Sequence, residues 1–71
     1  MKFNGKKLKA MRIKKKLSQE EFAQTLNQQG LTKITRASVN QWEHEASQPS
    51  GPSLHAICKV FGATTSDFYG K

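Results

Sequence analysis

Acidic residues are scarce in this chain and missing from its first 19 positions: the earliest is Glu20, and only five occur among 71 residues. Cysteine is scarcer still. A single Cys58 excludes an internal disulfide and leaves no thiol pair for a zinc site. The two histidines, His44 and His55, have no cysteine or carboxylate spaced to complete a ligand set with both, so no metal site is expected. No apolar run approaches the roughly 20 residues that span a bilayer. The basic N-terminus is not followed by the apolar segment of a signal peptide. Strand-like alternation of apolar and polar residues is absent, as is a glycine-rich phosphate loop. Ser18, Ser38, Ser47 and Ser50 belong to no convincing nucleophile–base set. Neither an enzyme nor a cofactor-dependent protein is expected.

What the chain has in excess is positive charge. Twelve lysines and arginines against five acids give a formal net charge of +7. Lys2, Lys6, Lys7, Lys9, Arg12, Lys14, Lys15 and Lys16 all precede Leu17. A small domain of this kind is read as a polyanion binder, with nucleic acid ahead of a membrane surface. A chain this short forms one domain, here 1–71 with an ordered core of about 5–70, and buries only about 60% of its unfolded surface. That leaves little room for a catalytic cleft as well as a core. One unpaired thiol suits a reducing cytoplasm.

Five helices can be read from their start and stop signals. The first spans about Gly5 to Lys16, with Leu8 and Met11 on one face and lysines near its C-terminus. Ser18 and Glu21 have capping-box spacing at the start of the second, and Leu17 and Phe22 are a hydrophobic staple. Gly30 is its expected left-handed terminator. Thr35 caps a third helix, expected to run to about Glu45, with Ile34 and Val39 as its staple. Pro52 suits the first turn of a fourth, in which Leu54, Ile57, Cys58 and Phe61 form a core stripe closed by Gly62. On that stripe Cys58 is expected as a buried structural thiol. Thr64 and Asp67 open a short fifth helix holding Phe68 and Tyr69, with Gly70 as its stop. Short helices and short loops predict an all-α, compact orthogonal bundle.

The third helix has two faces. At about 100° per residue, Arg36, Ala37, Asn40 and Gln41 share one side, and Val39, Trp42, Glu43 and Ala46 the other. The apolar side is the one to bury. The exposed side carries the residue types that read base edges in the major groove: Arg for guanine O6 and N7, Asn or Gln for adenine N6 and N7, Ala for the thymine methyl. The competing explanation is an ordinary solvated helix face. Ser18 and Gln19 open the second helix, where free N–H groups and the helix dipole attract a phosphate. Ser18 can serve as cap and contact together, and Gln19 can instead be solvated.

Leu8-x-x-x-Arg12, Leu17-Ser18-Gln19-Glu20-Glu21-Phe22-Ala23 and Thr35-Arg36-Ala37-Ser38-Val39-Asn40-Gln41-Trp42-Glu43 together resemble the Cro/repressor (XRE-type, lambda-repressor-like) helix-turn-helix family. Pro49-Ser50, Leu54, Ile57, Phe61-Gly62 and Asp67-Phe68-Tyr69-Gly70 are similar to its last two helices, so the resemblance extends from about Gly5 to Gly70. It implies a five-helix domain whose third helix enters the major groove, commonly as a homodimer on an inverted repeat of double-stranded DNA. By motif position it implies base contacts from Arg36, Ala37, Asn40 and Gln41. It also implies backbone contacts from Ser18, Gln19 and His44, to which Ser38 is added, and an ion pair between Arg12 and Glu43. Glu43 lies at the edge of the buried face, where an acid needs a partner.

The chain departs from the family pattern twice. About six extra residues separate Leu26 from Thr35, predicting a lengthened turn between the second and third helices. Lys33 in that turn either adds a phosphate contact or is solvated. Glu45 stands where the family usually has glycine, so the third helix is expected to run longer. These departures keep open an antitoxin-like or other protein-interaction module on the same scaffold. A sensing domain after Lys71, or a protein partner, also remains open, and helix 5 around Phe68 and Tyr69 is the guess for a dimer surface. A membrane-surface role for the lysine-rich segment is the weakest alternative, because its apolar face is thin.

Overall fold

A short polar side chain caps each of the first four helices in the computed structural model, which describes residues 2–30 and 33–69. Asn4 accepts the N–H of Lys7 at the start of α1 (Gly5–Lys14). At α2 (Gln19–Asn27), Ser18 Oγ accepts from Glu21 N–H at 3.0 Å, while the Glu21 carboxylate accepts from Ser18 N–H at 2.8 Å. This reciprocal pair satisfies two of the backbone donors that a helix start leaves without partners. Thr35 does the same for Ser38 N–H at the start of α3 (Arg36–Glu43), and Ser50 for Ser53 N–H at α4 (Gly51–Phe61). In α5 (Ser66–Tyr69) the Asp67 carboxylate reaches back to Thr64 N–H at 2.9 Å. Among the described residues there is no strand.

Two helices stop earlier than their composition suggests. α1 ends at Lys14, and Lys16 takes the left-handed conformation (φ 60°), which directs Lys16 N–H to Ile13 and Leu17 N–H to Arg12. α3 ends at Glu43 rather than continuing through Glu45, because Glu45 itself adopts φ 61°. The expectation of a longer third helix is thereby corrected. Ala46, expected on the buried face, lies past the helix end and is exposed. Gly30 is not the left-handed terminator of α2; Gly62, after α4, is the glycine with positive φ among the described residues. Instead, Gln28 and Gln29 prolong α2 as a turn.

The lengthened α2–α3 connection is closed by one side chain. Asn27 donates from Nδ2 to the Ile34 carbonyl at 2.8 Å and accepts Ile34 N–H on Oδ1 at 2.7 Å. The side-chain amide thus replaces a backbone partner and brings Ile34, itself buried, onto the core. Leu31 and Thr32 of this turn, and Gly70, lie outside the described residues.

The core comprises Leu8, Phe22, Ala23, Leu26, Ile34, Val39, Trp42, Ala56, Ile57, Phe68 and Phe3. Phe3 carried no helical pattern to mark it, yet it is 1% exposed and stacks on Phe68 with ring centroids 5.5 Å apart. Asn4 N–H donates to the Phe68 carbonyl at 2.7 Å, so the N-terminal segment is fixed against α5. On α4, Ile57 is at the centre of the buried face with Ser53 and Ala56, while Leu54, Cys58 and Phe61 are half-buried. The Cys58 thiol is therefore less enclosed than its position on the stripe suggests. Partial burial, and then the nearby Asp67 charge, push its pKa up.

Candidate nucleic-acid interface

α3 is anchored from below by Val39, Trp42 and Glu43, all buried, and it presents Arg36, Ala37, Asn40 and Gln41 as an exposed face. α2 packs across it, with Ser18 exposed and Gln19 half-exposed at its N-terminus. The two elements are tied by polar contacts as well as by packing. Arg12 on α1 meets Glu43 through Nε–Oε2 at 2.6 Å and Nη2–Oε1 at 3.3 Å, and the pair is almost wholly enclosed. Arg12 Nη1 also donates to the Leu17 carbonyl at 2.6 Å. A buried carboxylate without such partners would cost several kcal/mol, roughly 3–5 when one member of a pair is removed.

Gln19 joins this pair to the exposed face. Its Nε2 donates to Glu43 Oε1 at 3.0 Å and to Asn40 Oδ1 at 3.2 Å. Both amide hydrogens are thereby engaged inside the protein, so a phosphate near this position would meet backbone N–H groups of the α2 N-terminus rather than the Gln19 amide donor. Gln41 Oε1 accepts from Ser47 Oγ at 3.3 Å, which leaves the Gln41 NH2 group directed elsewhere. Arg36 is exposed in the first turn and has no hydrogen-bonded or ion-paired partner among the described residues.

The remaining predicted residues lie around this face without converging on one point. Ser38 is half-buried and within 3.3 Å of Thr35 Oγ1, its hydroxyl occupied at the cap. Lys33 is exposed just before α3. His44 follows the helix, and because its Nδ1 meets the Asn40 carbonyl at 2.8 Å, that nitrogen carries the proton and Nε2 is left outward. Between α1 and the α3 terminus a shallow groove is lined by Lys6, Lys9, Ala10, Ile13, Glu43 and His44. Its two lysines were legible only as part of the basic N-terminal segment. The fold selects these two for the edge of α3.

A family model described as helix-turn-helix matches residues 8–68, which takes in α3 and most of the surrounding bundle. The chain belongs to the XRE-type helix-turn-helix family. Membership makes this helix-turn-helix chain a DNA-binding regulator and not an enzyme. The fold is similar to that of the P22 c2 repressor protein, solved in complex with synthetic operator 9T in the presence of Tl+. The TM-score is 0.77 at 21% identity, over 93% of this chain and 91% of that one. The five-helix, lambda-repressor-like architecture is thus established. No curated protein matches the chain significantly. Among the described residues no helix is long and apolar enough to cross a membrane, and no group of side chains could hold a metal ion.

Proposed function

We propose that this helix-turn-helix chain is a repressor-type transcriptional regulator that binds an inverted repeat of double-stranded DNA as a homodimer, with α3 of each subunit in the major groove. The observation that carries this reading is the exposed Arg36, Ala37, Asn40 and Gln41 face on a helix whose opposite side is buried and ion-paired. Those side chains supply donors and a methyl contact to base edges, and no acid lies among them. Ser18 and the N-terminus of α2, with Lys33, Ser38 and His44, border that face in sequence and fold and are assigned to the phosphates that flank the groove. The operator complex of the P22 c2 repressor supports the docking mode by similarity of fold. Two subunits related by a twofold axis would read half-sites about 34–36 Å apart, one helical turn.

Selection of duplexes from a random pool at near-physiological salt tests the proposal. Enrichment of an inverted repeat is the expected result. Enrichment of a single, unrepeated half-site would remove the dimer and keep the groove reading. A pool that remains random would overturn sequence-specific recognition and turn attention to protein partners.

A further inference from the structure

The imidazole of His44 stands at the end of α3 with one ring nitrogen committed to the helix and the other turned outward. We propose that the groove between α1 and the α3 terminus holds a backbone phosphate of the DNA, through Lys6, Lys9 and a protonated His44. DNA binding then takes up a proton at His44. This inference rests on the proposed placement of α3 in the major groove, whose walls are the phosphate backbones.

Two helices build the site. Gly5, Leu8 and Arg12 form the buried stripe of α1, and Arg12 is bonded to Glu43 of α3. Helical spacing then puts Lys6, Lys9 and Ile13 together on one flank, about 60–120° round from Arg12. Lys7 belongs to the other flank, where it pairs with Asp67 of α5 at 3.9 Å. Lys6, Lys9, Ala10 and Ile13 accordingly line one groove with Glu43 and His44. Ile13 is 54% exposed there, and a sugar–phosphate strand would cover it. The acids around His44 are already engaged. Glu43 accepts from Arg12 and Gln19, and Glu45 from Gly5 N–H, with Lys2 beside it. Lys6 and Lys9 form no ion pair among the described residues, so the charge facing His44 across the groove suits an anion.

Donor and acceptor chemistry supplies the proton. His44 Nδ1 lies 2.8 Å from the Asn40 carbonyl, which only accepts, so Nδ1 carries a hydrogen. Neutral imidazole has a single N–H, and Nε2 then turns a lone pair outward, where an anion is repelled. The other neutral tautomer could donate from Nε2, but it would set two lone pairs against each other at Nδ1. Only the imidazolium keeps the bond to Asn40 and also donates to a phosphate, through a charge-assisted hydrogen bond. Imidazole is the side chain that ordinarily titrates between about pH 5 and 8, so solvent supplies that proton under ordinary conditions.

The test is fluorescence anisotropy of a duplex enriched by selection, titrated at about pH 6 and about pH 8, on either side of ordinary imidazole ionisation. The chains compared are the wild type, His44→Gln, Lys9→Ala and His55→Gln, each first shown to be folded by its thermal transition. Wild-type affinity is expected to rise about tenfold from the higher pH to the lower, the scale of one hydrogen bond to a charged group. Its salt slope should also be steeper by about one in acid, because one more cation displaces a counterion. His44→Gln should abolish both differences. His55→Gln, exposed on α4, should retain both. Lys9→Ala should weaken binding severalfold at either pH, and unchanged binding would remove this groove as the phosphate site. A wild type equally tight at both pH values, or a His44→Gln chain that keeps the difference, overturns the proton uptake while the major-groove reading stands. If no duplex is enriched or bound, the inference falls together with the reading beneath it. Should His44→Gln not fold, the ring nitrogen shifts of wild-type His44 decide the matter by NMR at neutral pH. A protonated Nε2 in the DNA complex is expected, and an unprotonated one would overturn the proposal.

Discussion

Glu45 accepts the backbone N–H of Gly5 at 3.0 Å across forty positions of sequence, so the end of α3 caps the start of α1. The same carboxylate lies 3.5 Å from Lys2 Nζ. To reach them Glu45 takes a left-handed backbone conformation, which costs a non-glycine residue roughly 1 kcal/mol or more. The two contacts offset that strain and explain how a glutamate is accommodated where glycine is usual. They also turn the chain away from the helix axis immediately after Glu43 and His44, which keeps α3 short and its exposed face unobstructed.

Gly5 should tolerate no side chain. A Cβ there would lie 2.2 Å from the Trp42 carbonyl and 2.7 Å from that of Glu43, both backbone atoms that cannot rotate away. Gly5→Ala is expected to lose about 1–3 kcal/mol in urea denaturation, as overpacking commonly does. Gly30→Ala, in open space and without a positive φ, should stay within about 0.5 kcal/mol of wild type. Equal stabilities for the two variants would contradict the close approach of α1 to α3.

Acid should weaken the Glu45 link. The Gly5 hydrogen bond, aided by Lys2 and Lys6 and opposed by partial desolvation, holds the Glu45 carboxyl below the ordinary glutamate value. A lowered folded value means the unfolded chain binds the proton more readily. The stabilisation is therefore complete above the unfolded value of about 4.3 and is lost as pH falls through the folded one. Urea midpoints measured from neutral pH into this acid range should fall less steeply for Glu45→Gln than for wild type. Parallel curves would remove Glu45 from the acid response.

The Arg12–Glu43 pair should show the asymmetry of buried charges. Arg12→Leu leaves the Glu43 carboxylate enclosed with only the Gln19 amide beside it, and a loss of about 3–5 kcal/mol is expected. Arg12→Leu combined with Glu43→Leu should recover most of it, because no uncompensated charge remains. A single variant that melts with the wild type would show that the pair contributes nothing.

Two substitutions should separate base reading from charge. Arg36→Ala is expected to relax preference at one base pair by about 1–3 kcal/mol. Lys6→Ala, in the groove beside His44, should weaken all duplexes alike and reduce the salt slope by about one. Binding isotherms on operator variants at several salt concentrations measure both. An Arg36→Ala chain with unchanged relative affinities would displace Arg36 from the reading face.

Much of this protein is local and was open to sequence reading. The Ser18–Glu21 box, the Thr35 cap, the Pro52 start and the Gly62 stop depend on residues within one helical turn, so their spacing alone determines where three helices begin or end. The amphipathic arc of α3 is equally local, and it separated Val39 and Trp42 from Arg36 and Gln41. Tertiary structure decided whatever depends on partners distant in sequence. Phe3 became core only because α5 folds back to stack Phe68 on it. Asn27 became the clasp of a long turn only because Ile34 comes within its reach. Glu45 could adopt a glycine-like conformation because Gly5 and Lys2 are brought to its carboxylate, and Gln19 reaches Asn40 and Glu43 because α2 packs across α3. Periodicity and capping act over three or four residues and leave a signature in the sequence. A hydrogen bond across twenty or forty residues leaves none, since its two ends become neighbours only after the chain has packed.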